Sequence, residues 1–159
     1  MQARTAESDP GFGEHRVAFK IRTGQSVVDE YFTVSLRIWH PTLSGDAITG
    51  ALCLIPEVSH SVGTQRTTPF GDPLEGLYRC TYWSFPLVEK TPGVFTDGLS
   101  ELLRRIERYR GFFAQTALDG GRTELFVGVF KEDSVGFTLE PHVMIELASL
   151  SLELSVDIY

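Results

Sequence analysis

Residues 123–159 constrain the fold more than any other part of this chain. They read TELFVGVF, a short turn, VGFTL, then EPHVMIELASLS, and last LELSVDIY. In the first and last of these, apolar residues recur at every second position, which places them on one face of a strand. EPHVMIELASLS opens on Pro141, whose fixed φ suits the first turn of a helix. The block is thus two strands, a proline-opened helix and a closing strand. No nucleophile with a base nearby, no metal-ligand spacing and no phosphate loop accompanies it.

The rest of the chain extends the same pattern. Over residues 31–39, Val34, Leu36 and Ile38 share one face, and Thr33, Ser35, Arg37 and Trp39 share the other. Pro41 ends that strand. Ser44 is positioned as an N-cap, Asp46 complements the helix dipole, and Ile48, Leu52 and Ile55 recur at helical spacing before Pro56. In residues 57–77, Pro69, Gly71, Pro73 and Gly76 forbid one continuous element, so a short strand over 60–63 and an ordered loop are expected. YRCTYWSFPL (78–87) reads as a strand. A long helix over 98–118 carries the apolar stripe Leu99, Leu102, Leu103, Ile106, Tyr109, Phe113 and Ala117. Its other face holds Arg104, Arg105, Arg108 and Arg110, with Glu101 spaced to pair with Arg104 or Arg105.

Residues 1–14 read as a polar tail, and residues 16–22 alternate like an edge strand or arm. The domain plan is a tail and arm over 1–30 and one α+β domain over 31–159. The order β-α-β-β-α-β-β-α-β predicts a two-layer α+β sandwich, its mixed or mostly antiparallel sheet covered by helices on one face.

Composition removes several function classes. With 14 Lys and Arg against 21 Asp and Glu, the net charge is −7. Nucleic acid and anionic membrane both require a basic field, so neither is an expected partner. The N-terminus shows no secretory leader and no window is apolar enough to span a bilayer, so a cytoplasmic protein is expected. Cys53 and Cys80 form no CxxC pair and read as buried reduced thiols. His15, His40, His60 and His142 lack ligand spacing, and His142 reads as a solvated residue, so neither metal nor cofactor is implied. Glu153 and Asp157 share a strand face about 13 Å apart, too far for a glycosidase pair.

Assembling the strand faces gives a sharper clue. With Leu36, Ile38, Leu125, Val127, Val129, Leu152, Leu154, Val156 and Ile158 turned inward, Arg37, Trp39, Phe126, Phe130 and Tyr159 turn outward. Arg79, Thr81 and Trp83 are expected to join them. Burying one such aromatic is worth roughly 1.5–3 kcal/mol, so something should cover the face. The candidates are the chain's own residues 16–28 and 57–77, a second copy in a homodimer, or a foreign partner.

The segments LSGDAITGALCLIPEVSH, YWSF and TELFVGVF…GFTLEPHVMIELASLSLELSVDIY resemble the bacterial family called domain of unknown function 4279, over residues 31–159. The resemblance implies a small bacterial domain and carries no catalytic or ligand residues. The reading is a non-enzymatic protein-interaction module, acting through the sheet face and the 57–77 segment. A toxin-neutralising immunity protein is one concrete version, its acidic surface suited to a basic target. The alternative is a small-ligand domain with a pocket between residues 57–77 and the sheet. Across the two readings the candidate binding residues are Arg37, Trp39, Arg66, Arg79, Tyr82, Trp83 and Phe126.

Overall fold

A computed structural model describes residues 30–131 and 136–159, so the tail and arm expected over residues 1–30 lie, except for Glu30, outside the described residues. Its central strand is β1 (Tyr31–His40), in which Phe32, Val34, Leu36, Ile38 and His40 alternate inward as the sequence pattern requires. Strand β5 (Thr81–Pro92) pairs antiparallel on one side of β1, and β6 (Arg122–Phe130) pairs antiparallel on the other. Outside these lie β2 (Val58–His60), antiparallel to β5, and β7 (Leu152–Ile158), parallel to β6. The five-stranded order is therefore β2-β5-β1-β6-β7, a mixed and mostly antiparallel sheet. A separate hairpin of β3 (Gln65–Thr67) and β4 (Pro73–Leu77) projects from it.

The helices lie on the face to which Leu36, Ile38, Leu125 and Val127 point, giving the expected α+β architecture. Helix α1 (Gly45–Leu52) starts where Ser44 Oγ accepts the Ala47 N–H at 3.2 Å. Gly45 packs closely there: a Cβ would stand 2.0 Å from Ser59 Oγ, so a larger residue fits only if that hydroxyl turns away. The helix ends earlier than its periodicity suggested: Cys53 takes a left-handed conformation (φ 55), and Ile55 is left outside the stripe, exposed. Cys53 is consequently exposed and Cys80 half-buried, so the expectation of two buried thiols is corrected; both are free.

The long helix predicted over 98–118 is divided into α2 (Leu99–Ile106), a 3₁₀ turn (Glu107–Tyr109) and α3 (Arg110–Leu118). Three residues at about 120° each, instead of about 100°, over-rotate the axis by about 60°. The stripe is thereby rephased: Leu99, Leu102, Leu103, Ile106, Tyr109 and Phe113 are buried as expected, but Thr116 takes the inward place assigned to Ala117. Helix α4 (Pro141–Ser149) buries Val143 and Leu147.

Two strand assignments change. Residues 136–140, within the expected VGFTL strand and the helix entry, form no strand, and Phe137 instead packs edge-on against Phe95 with centroids 5.1 Å apart. Topology explains this: β6 already has β1 and β7 as neighbours, and parallel pairing with β7 demands a crossover that leaves the sheet. The short strand expected at 60–63 is β2, displaced toward the N-terminus, and the loop after it contains the β3–β4 hairpin.

Candidate functional site

The sheet face opposite the helices is built by the register of β1 against its neighbours. Trp39 stands across from Tyr82 on β5 and from Arg122 on β6, while Arg37 stands across from Ser84 and Glu124. Directly opposed residues on one face are close enough for side-chain contact, and the contacts follow. The Arg122 guanidinium lies 3.9 Å above the Trp39 ring, and that of Arg37 lies 3.3 Å above the Phe126 ring. Between them Glu124, only 5% exposed, faces Arg37 at 3.6 Å and Arg122 at 3.8 Å. Such a buried carboxylate is tolerable only with cationic partners, and here the two arginines serve both it and the aromatic rings. Arg122 also reaches Glu153 on β7 at 3.5 Å.

From Trp39 the aromatic surface continues toward β2. Trp39 and Tyr82 have centroids 5.1 Å apart, Tyr82 and His60 5.6 Å, and His60 stacks on Tyr78 at 3.7 Å with planes 16° apart. Burial lowers the His60 pKa, because the charged imidazolium is poorly solvated there, so the stack favours the neutral ring. At the other end of the face Phe130 stacks on Tyr159, centroids 5.1 Å apart, with Lys90 4.4 Å above Phe130.

Tyr78 directly follows the β3–β4 hairpin, whose strand residues are all exposed. Its turn carries Phe70 at 94% exposure, with Leu77 and Leu74 also exposed along it. A two-stranded hairpin buries too little to be stable alone. Local polar contacts hold this one: Arg66 donates to the Glu75 carbonyl at 3.3 Å, and Thr68 Oγ1 accepts the Asp72 N–H at 3.1 Å. The result is an apolar-tipped finger beside an aromatic face.

The residues singled out from the sequence divide accordingly. Arg37, Trp39, Tyr82 and Phe126 come together on the outer face, and Arg66 lies on the finger. Arg79 is exposed just before β5 begins. Trp83 does not join them. Because β5 starts at Thr81 with Trp83 opposite Ile38, both Thr81 and Trp83 point into the helical layer at 0% exposure. The Trp83 indole N–H donates to Thr49 Oγ1 at 3.0 Å, and Thr81 Oγ1 accepts the Val62 N–H at 2.9 Å.

Sequence reasoning passed over Glu124, Arg122 and Tyr78, and it did not place His60 in the aromatic cluster. Glu124 and Arg122 share the outward parity of Phe126 in RTELFVGVF, so alternation alone exposes them. His60 and Tyr78 meet only through the turn at Gly63, whose N–H donates to the Tyr78 carbonyl, and no local pattern signals that. A cavity of about 180 Å³ at the edge of the face is lined by Trp39, His40, Pro41, Cys80 and Arg122 among others, with no contribution from residues 57–77. Among the described residues no helix is long and apolar enough to cross a membrane, and no group of three or more His, Cys, Asp or Glu could hold a metal.

Comparison with known proteins finds no match among curated proteins and none among solved structures. A family model does match, over residues 29–159, and it spans every element described above. The chain belongs to the family described as Domain of unknown function (DUF4279).

Proposed function

We propose that this protein is an interaction module that docks a partner protein on the outer sheet face and the adjoining β3–β4 finger. The observation that carries the reading is the composition of that surface. Aromatic residues and arginine dominate the energetic centres of protein interfaces, because they bring large contact area with few rotatable bonds. Trp39, Tyr78, Tyr82, Arg37 and Arg122 supply them here, and Phe70 offers an apolar anchor. The net charge of −7 favours a basic partner through long-range steering. A toxin-neutralising role, in which an acidic chain captures a basic effector, fits this description.

The test uses Phe70→Asp and Tyr82→Ala, chosen because both side chains lie outside the buried core. Trp83→Arg is unsuitable, since it places a charge in the core. A partner captured by the wild-type chain should bind at least tenfold more weakly to each variant, while Arg104→Glu on the helical layer binds normally. Its association rate should also fall with added salt. Equal binding by all three variants would overturn the reading. Sedimentation of the isolated chain reports whether the partner is a second copy.

A further inference from the structure

The helical layer, on the other side of the sheet from the docking surface, contains an arrangement that no sequence motif announces. Ser100, in the first turn of α2, has its Oγ 3.3 Å from His142 Nε2, on α4. The other ring nitrogen of His142, Nδ1, lies 3.2 Å from Glu140 Oε2. Ser100 and His142 are 42 residues apart in sequence and meet because α2 packs against α4.

The order of atoms matters more than their proximity. A carboxylate at Nδ1 holds the proton of a neutral imidazole on that nitrogen and leaves the Nε2 lone pair free to accept the serine proton. Glu140 is available for this work. It occupies the N-cap position of α4, yet its carboxylate makes no capping bond and turns to His142 instead. Pro141 fixes the backbone between the two.

The three side chains border a cavity of about 350 Å³. Leu99, Leu139 and Val143 give it an apolar wall, and Thr96 and Thr138 add polar residues to its lining. Asp97 shares the rim with Glu140, and among the described residues no lysine or arginine lines the cavity, so anionic substrates are repelled.

We propose that Ser100, His142 and Glu140 form a hydrolytic site for small carboxylic esters that are neutral or cationic. Ser100 Oγ attacks the ester carbonyl as its proton passes to His142 Nε2. The tetrahedral intermediate collapses, the C–O bond to the alcohol breaks, and the leaving alkoxide takes the proton from Nε2. Water then attacks the acyl-serine, giving its proton to Nε2. Collapse of that intermediate returns the proton to Ser100 Oγ and frees the carboxylic acid. Ser100 and His142 are the catalytic residues, and Glu140 is a positioning residue. The His142 and Glu140 side chains are 58% and 73% exposed, so the relay works in water-rich surroundings and turnover is expected to be slow. The proposal is independent of the docking face and stands or falls separately.

The covalent step is the sensitive readout. The wild-type chain is incubated with a small uncharged alkyl fluorophosphonate, and the adduct is located by peptide mass spectrometry while hydrolysis of a short-chain nitrophenyl ester is followed. The expected result is one adduct at Ser100, absent in Ser100→Ala and formed at least tenfold more slowly in His142→Gln. Glu140→Gln should slow it by an intermediate factor, with Glu140→Asp recovering part of the loss. Unchanged thermal melts certify that these surface variants remain folded. Absence of a Ser100 adduct together with ester hydrolysis no faster than buffer would overturn the proposal. So would an adduct that forms equally fast in His142→Gln.

Discussion

Trp83 joins the first helix to the sheet, and that joint can be measured. It is fully buried between strand and helix, and its indole N–H donates to Thr49 Oγ1 at 3.0 Å. Trp83→Phe removes the hydrogen bond, worth about 1 kcal/mol. It also removes the pyrrole portion of the ring, which adds about 2 kcal/mol through lost apolar burial and the residual cavity. The expected loss is about 3 kcal/mol, or a fall in Tm of about 6–12 °C for a chain of this size. Thr49→Val leaves the indole N–H buried without an acceptor and should destabilise by about 1–3 kcal/mol. In the double variant the hydrogen bond is lost only once, so its destabilisation should fall short of the sum by about 1 kcal/mol. Urea unfolding followed by far-UV circular dichroism supplies all three values. Additivity of the two single changes within about 0.3 kcal/mol would show that the pair does not couple, and the joint would have to be sought elsewhere in the α1 packing.

Two more predictions concern the ends of the outer face, beside the binding and labelling experiments above. Gly121→Ala should destabilise by about 1–3 kcal/mol, because its Cβ would stand 2.6 Å from the Trp39 carbonyl oxygen and 3.0 Å from that of Thr116; an unchanged urea midpoint would contradict that packing. His60, its pKa lowered by burial, should make stability pH-dependent. The unfolded chain takes up this proton more readily than the folded one, so the His60 contribution is complete above its ordinary pKa of 6.5 and is lost as pH falls from there toward the lower folded value. Unfolding midpoints of wild type and His60→Phe should therefore diverge differently below pH 6.5 than above it, and parallel curves would show that the stack does not select the neutral ring.

What the sequence reveals depends on whether the deciding interaction is local. The alternations in 31–39 and 123–130 assign their inward residues correctly, because strand parity is a property of the segment itself. In 152–158 Leu152, Leu154 and Val156 meet the core, whereas Ile158, expected inward with them, is 51% exposed at the end of the strand. The parity of Trp83 depends on where β5 begins, and that is decided by the β1 register and by Thr81, whose hydroxyl donates to the Leu43 carbonyl and accepts from Val62. The rephasing of α2 into α3 and the loss of the expected strand near Phe137 are also set by tertiary partners. For the same reason the Arg37 and Trp39 surface is legible from the β1 pattern alone. The meeting of Ser100 with His142 is not, since it needs the packing of two helices.

The central position of β1 has a consequence for the chain as it is made. β1 is the first described strand to leave the ribosome, yet its two neighbours, β5 and β6, follow much later in the sequence. At about 5–20 residues per second, the interval between completing β1 and completing β6 is on the order of 5–20 seconds. During that interval a strand bearing Phe32, Val34, Leu36 and Ile38 has at least one hydrogen-bonding edge without its native neighbour. The central strand of the finished sheet is thus the nascent chain's longest-standing aggregation hazard, and folding yield should respond to translation speed and to holdase chaperones more strongly than equilibrium stability does.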